Sequence, residues 1–306
     1  MSGVRGGGRL SDGSRLSDGG LNGGRRSDDG GASGGGSVAG AVERVLSHER
    51  VVVGIAMAAL AFAAWAYVWS GAGTGMPARD MTAFALFPHL QPEPMPGMAM
   101  SSFGWTAAIA MWWVMMVAMM TPSAAPLVLL YARVLHHHRG DASHAQALAS
   151  SMYVVGGYLT AWLGFSIAAA ALERLLEPAG LTSPMMLWSK SAPLSAAVLL
   201  AAGLYQLSPL KAACLRQCRG PAQFLTRYWR PGRLGAFAIG LRHGAWCVGC
   251  CWMLMALLFV GGLMNLAWIA ALALLVLIEK VAPAGALVGK AAGVVLLGWA
   301  VATIAA

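Results

Sequence analysis

Apolar residues run through the chain in long blocks, separated by short polar, glycine- or proline-containing segments. A membrane-crossing helix needs about 20 predominantly apolar residues. Seven blocks approach or meet that length, at roughly 51–70, 105–131, 151–172, 191–207, 244–262, 264–282 and 285–304. Only short turns, at Gly262 and at 283–285, separate the last three, so 264–304 is expected to pack as a tight helical hairpin. The expected fold is all-α: a polytopic transmembrane helical bundle of seven spans. The alternative is six, if one of the last two is re-entrant. Residues 1–50 carry no such block. They are rich in Gly, Ser, Asp and Arg, have no aromatic residue, and contain a near-repeat at 9–13 and 15–19. Such a segment buries too little apolar surface to offset its ordering entropy. A disordered tail over 1–50 and a transmembrane domain over 51–306 are therefore expected. The tail lacks the apolar core of a secretory signal peptide.

Composition agrees with this reading. Hydrophobic residues make up 58% and charged residues 11% of the 306, against about 45–50% and about 25% in soluble domains. The net charge of +9 falls in the segments between apolar blocks, so it reads as a topology signal and not as a nucleic-acid surface. Seven Arg lie in the tail, one, Arg79, in 71–104, and seven Lys or Arg in 208–243. Basic segments stay on the cytoplasmic side. The N-terminus and 208–243 are thus expected inside and 71–104 outside, in a bacterial inner membrane. Trp69, Trp105, Tyr131 and Trp188 near block ends read as interface anchors.

All five cysteines lie between 214 and 251. Ser208-Pro209 is a helix N-cap and first-turn pair, and Gly220-Pro221 ends the segment. Cys214 and Cys218, spaced i, i+4, then share one face. At ~100° per residue, His243, Cys247, Cys250 and Cys251 fall within an arc of about 100° on a second helix. Thiolates select Cu(I), Zn(II) and iron–sulfur clusters. The competing reading of a buried Cys is a small hydrophobe, and His243, beside Arg242, reads equally as a solvated interfacial residue. A cytoplasmic-side location argues against structural disulfides.

Eight of the 18 methionines lie between 95 and 120. Met95, Met98 and Met100 sit in the outward segment. Met111, Met115 and Met119 form an i, i+4 stripe, with Met116 and Met120 beside it. Thioethers are neutral soft ligands for Cu(I), and Met is also a flexible filler of helix packing. Pro122 and Pro126 each remove a backbone bond, which frees the carbonyls of Ala118 and Pro122. These must find protein or water partners, so the kink is expected to face the interior. By helical rise, Met119 lies about 20 Å from Arg133 and Cys251 about 13 Å from Arg242. The two sulfur groups are therefore expected as separate rungs of a ladder. Glu279 and Lys280 end a span and are expected to snorkel. Asn265 is placed to cap the helix after it. His136, His137, His138 and His144 form a His-rich tract that could bind metal.

Three blocks resemble a bacterial family of uncharacterised, predicted metal-binding integral membrane proteins. The first is Trp112-Trp113-Val114-Met115-Met116-Val117-Ala118-Met119-Met120-Thr121-Pro122 with Pro126. The second is Tyr205-Gln206-Leu207-Ser208-Pro209-Leu210-Lys211 leading to Cys214 and Cys218. The third runs from Gly244 through Cys247, Gly249-Cys250-Cys251-Trp252, Met255, Met264-Asn265-Leu266 and Trp268 to Glu279-Lys280. The resemblance covers about 101–282 and implies metal binding.

The residues themselves favour a membrane protein that handles a soft ion, above all Cu(I), with Zn(II) or an iron–sulfur cluster behind it, for transport, relay or storage. The outward methionines would capture the ion, the stripe relay it, and the cysteines hold it. Its partners are the lipid bilayer and the ion; a membrane or periplasmic partner protein is compatible, and nucleic acid is not expected. Two rivals stay open: a membrane thiol–disulfide redox protein, and a structural subunit of a membrane complex. No GxxxxGK[ST], GxGxxG or HExxH occurs, so a non-enzymatic role is favoured over an enzymatic one.

Overall fold

A computed structural model of the chain describes residues 34–71, 104–138, 144–176, 178, 180 and 189–305. The side chains of 34–50, 136–138 and 144–147 are outside that description. The chain divides into a unit over 1–42 and one over 43–306, and of the first only the opening turns of one helix are described. The described residues form helices and no strand: α1 (Gly34–Trp69), α2 (Trp105–His138), α3 (His144–Leu176), α4 (Ala192–Leu207), α5 (Pro209–Arg219), α6 (Pro221–Tyr228), α7 (Gly232–Ala256), α8 (Leu258–Gly261), α9 (Leu266–Val281) and α10 (Gly285–Ala305).

Every apolar block recurs as a helix. Five stretches are long and apolar enough to cross a membrane: Val51–Trp69, Trp105–Leu135, Leu148–Leu176, Gly232–Gly261 and Gly285–Ala305. A sixth arises if α4 and α5, bent by 63° at Ser208, are one span. At 16 residues α9 is shorter than a typical crossing. The boundary expected at residue 50 falls inside α1, where Val38, Val42, Val45 and Leu46 already recur at helical spacing. Segment 208–243 is not an open loop. It folds into α5, α6 and the first turns of α7, which Pro231 and Gly232 open.

Local caps set these boundaries. The Ser208 hydroxyl accepts from the Lys211 amide at 3.2 Å to start α5, as the sequence predicts. Asn265 caps α9 by accepting from the Trp268 amide at 3.2 Å. Gly262, at φ 91°, ends α8 in the left-handed region that glycine adopts without strain. Of the expected interface aromatics, Trp69 and Trp105 are exposed. Tyr131 instead lies buried with its ring 5.4 Å from Trp229, because it faces α6 and its neighbours and not the bundle's outside. Trp188 lies outside the described residues.

Helix α7 packs along α3, α3 along α2, and α10 along α4 more than along α9. The expected α9–α10 hairpin is therefore secondary to the α4–α10 pair. The α3–α7 crossing depends on glycine. A Cβ at Gly240 would overlap the Val154 carbonyl, and one at Gly157 would overlap Phe237's. At Gly244 it would meet the Tyr158 carbonyl oxygen at 2.9 Å. Small residues spaced by four let helix backbones approach where lipid offers no hydrophobic drive.

The C-terminal end of α9 is held by charge. The Glu279 carboxylate takes a salt bridge from Lys211 at 2.6 Å and a hydrogen bond from the Gln206 amide at 2.6 Å. Lys211 also donates to the Gln206 carbonyl oxygen. Gly289 lets α10 approach: a Cβ there would stand 3.0 Å from the Glu279 carboxylate. Arg219 donates to the backbone carbonyls of Glu279, Ala282 and Pro283 at 3.2, 2.8 and 3.0 Å, closing the C-terminal end of α9. Glu279 and Lys280 do not snorkel. They are 2% and 8% exposed, because α4 and α5 supply partners to Glu279 while α2 and α7 supply them to Lys280.

Two substitutions test this packing by thermal unfolding in detergent. Gly240→Val should force α3 and α7 apart and lower stability by about 1–3 kcal/mol, the usual cost of overpacking. Lys211→Met should cost about 3–5 kcal/mol by stranding Glu279, whereas Lys211→Met with Glu279→Leu should recover most of that loss.

Candidate metal centre

The face of α7 that carries the cysteines turns inward. His243, Cys247, Cys250 and Cys251 are all buried, none more than 3% exposed. The predicted stripe is therefore a core stripe. The alternative of a solvated His243 is overturned: its ring lies between Phe224 (5.1 Å) and Tyr158 (6.0 Å), because α6 covers the opening of α7. Its Nδ1 is buried with no hydrogen-bond partner. Buried polar atoms are nearly always satisfied, so this one is an unusual, unused donor or acceptor beside the thiols.

Three helices bring sulfur to this stripe. Cys218 of α5 places its Sγ 3.9 Å from Cys250 Sγ. Met120 of α2 places its Sδ 3.9 Å from Cys251 Sγ. Two sulfurs bound tetrahedrally to one ion at about 2.3 Å stand about 3.8 Å apart, so both spacings suit sharing a soft ion. Cys214 is half-buried, and its Sγ would lie 3.1 Å from a Cβ at Gly249. The carbonyl of Gly249 accepts a hydrogen bond from the Tyr205 hydroxyl, which ties α4 to the same turn of α7. All five cysteines are free. Among the described residues no three Cys, His, Asp or Glu side chains converge as a metal-holding group. Cys218 meets Cys250, Cys251 meets the Met120 thioether, and Cys247 meets a cation.

The cation is Lys280. Its Nζ donates to Cys247 Sγ at 2.8 Å and to Ser123 Oγ at 3.1 Å. A buried ammonium requires acceptors, and the Cys247 sulfur and Ser123 hydroxyl supply two. The Tyr158 hydroxyl lies 3.0 Å from Cys247 Sγ and donates to the Met120 carbonyl at 3.0 Å. The Ser123 hydroxyl donates to the same carbonyl at 2.8 Å. Cys250 and Cys251 donate back to the Cys247 carbonyl at 3.1 and 3.0 Å, bonds they would give up on binding an ion as thiolates.

The stretch of α2 that carries Pro122 lies against this centre. Thr121 donates to the Val117 carbonyl at 2.6 Å, and Tyr158 and Ser123 satisfy that of Met120. The ladder spacing is corrected. Depth along separate helices places the methionine and cysteine groups apart, whereas the packing of α2 and α7 against α3 brings Met120 into contact with Cys251. Met111, Met115 and Met119 are buried in the same core, each at most 3% exposed. Met95, Met98 and Met100, and the side chains of His136, His137, His138 and His144, lie outside the described residues.

Sequence reasoning passed over Tyr158, Ser123, Gln206 and Lys211 and assigned Lys280 to solvent. One signal was available: adjacent Glu279 and Lys280 at the end of a wholly apolar helix, since intramembrane charges are functional candidates by default. No curated protein and no solved structure matches the chain. A family model described as Copper chaperone matches residues 109–303, from within α2 to within α10, and so includes Met120, all five cysteines and Lys280. With that match over more than half its length, the chain belongs to the copper chaperone family PpoB2.

Proposed function

We propose that the chain is a multi-pass membrane protein that carries Cu(I) as cargo on a dry sulfur cluster: Cys218, Cys247, Cys250, Cys251 and Met120. The observation that carries this reading is the contact of sulfurs from α5 and α2 with the buried cysteines of α7, Cys218 with Cys250 and Met120 with Cys251, each at 3.9 Å. Membership of a copper chaperone family supports copper as the ion. Soft thiolate and thioether donors select Cu(I) over harder cations. Cys214 flanks the cluster on α5, and His243 offers a nitrogen donor one turn before Cys247.

In this reading the chain crosses a bacterial inner membrane seven times, with α4–α5 and α9 among the crossings and the N-terminus in the cytoplasm. The cysteine helices then lie toward the cytoplasmic side. Met95, Met98 and Met100 would collect the ion outside, and Met111, Met115 and Met119 would lead it along α2 to Met120. The Lys280 ammonium holds the Cys247 sulfur in place while the cluster is empty of cargo. Handing the ion on requires donors that release it, and weak thioethers beside thiolates suit that.

A second reading draws on one contact. Cys218 and Cys250 belong to different helices and stand 3.9 Å apart, so a small approach would let them form a disulfide in a redox cycle. That reading predicts redox-dependent trapping of Cys218 with Cys250 in cells and no stoichiometric metal.

Elemental analysis of the detergent-purified chain after anaerobic Cu(I) loading tests the proposal. The wild-type chain should retain copper, and the variant with Ser at 214, 218, 247, 250 and 251 should not; equal copper in both overturns it. Competition with a Cu(I) chelator should show Met120→Leu weakening affinity by roughly tenfold, at the low end for a change beside a metal's ligands.

A further inference from the structure

A second feature lies on the other side of α5, away from the sulfur cluster. Residues Lys211, Arg216, Arg219 and Lys290 line a cleft of about 350 Å³ between α4, α5 and the start of α10. Its other walls are Gln206, Leu207, Ser208, Ala212, Leu215, Pro283, Ala286 and Gly289. No carboxylate lines it. The four cations are not equivalent. Lys211 is matched by Glu279 at 2.6 Å. Arg219 is tied to three neutral carbonyls, so its charge is held in place but not neutralised. Arg216 and Lys290 are exposed, and neither has an acidic partner among the described residues. The first turn of α10, through Ala286 and Gly289, borders the same space. The N-terminal end of a 21-residue helix carries partial positive charge and favours anions. The cleft therefore concentrates positive charge from two directions, with an apolar wall of Leu207 and Leu215.

We infer that this cleft binds a phosphate-bearing anion, with Arg216, Arg219 and Lys290 as its partners and the α10 N-terminus beneath it. The inference rests on the membrane reading for one point: the cleft then lies at the cytoplasmic interface, where basic pockets between helices take anionic lipid headgroups. Arginine suits this role because its planar fork matches phosphate oxygens in pairs. The apolar wall suits the glycerol and first methylenes of a lipid, whereas a free phosphate would use the cations alone. Occupancy would also brace α5 against α10, and α5 carries Cys214 and Cys218.

The test is thermal unfolding of the full chain in an uncharged detergent, titrated separately with dioleoyl phosphatidylglycerol, dioleoyl phosphatidylcholine and inorganic phosphate. A ligand that binds only the folded state raises its melting temperature with concentration. Phosphatidylglycerol should raise that of the wild-type chain, and phosphatidylcholine should not. Arg216→Gln with Lys290→Gln should melt like wild type without lipid, since both side chains are exposed, and should lose the phosphatidylglycerol response. Arg216→Lys with Lys290→Arg should keep it. A rise with inorganic phosphate that equals the lipid's assigns the site to free phosphate. No rise with either anion, or an undiminished rise in the Gln variant, overturns the inference. Retention in carbonate-washed membranes and Cu(I) content are measured on the same preparations. A missing lipid response in a membrane-retained, copper-loaded protein thus counts against the cleft alone, whereas loss of either property counts against the membrane copper reading.

Discussion

Glu279 and Lys280 are buried side by side at the end of α9, and neither charge can stay in a low-dielectric interior without a partner. Their side chains leave the helix in different directions. Glu279 meets Lys211 and Gln206, and Lys280 meets Cys247 and Ser123. That divergence organises the bundle around the C-terminal end of α9. One charge draws α4, α5 and α10 toward α9, and the other draws α7 and α2. The sulfur centre forms where those two groups of helices meet. Removing one partner of such a pair strands the other, which is why buried ion pairs are unforgiving of single changes.

The cysteine face of α7 also depends on the close α3–α7 crossing. Gly240 and Gly244 let α3 come near enough for the Tyr158 hydroxyl to reach both Cys247 and the Met120 carbonyl. Tyr158 thereby joins α2 to the cysteine helix, and its bond to the Met120 carbonyl helps hold Met120 beside Cys251. Sulfur donors held this way face little competition from water, which suits a soft, weakly hydrated ion.

Much of this was readable from residues in order along the chain. Apolar block length located the helices, Ser208 and Asn265 marked helix starts, and the cysteine spacing placed four donors on one face. Those signals are local, set by helical period and by backbone groups within four residues. What escaped depends on contacts far apart in sequence. His243 read equally as a donor or as a solvated residue beside Arg242 because nothing local reveals that α6 folds over it. Lys280 looked free to snorkel because its partner, Cys247, lies 33 residues away on another helix. The methionine and cysteine groups looked separate because rise along one helix says nothing about how that helix packs against another.

The central claim is that sulfur from α2, α5 and α7 forms a single copper-holding centre. X-ray absorption at the copper edge of the anaerobically loaded full chain addresses it most directly. The account predicts Cu(I) with a first shell dominated by sulfur, and loss of that signal when Cys247, Cys250 and Cys251 are changed to Ser. A first shell of nitrogen and oxygen alone, or an unchanged spectrum in the Ser variant, would contradict it.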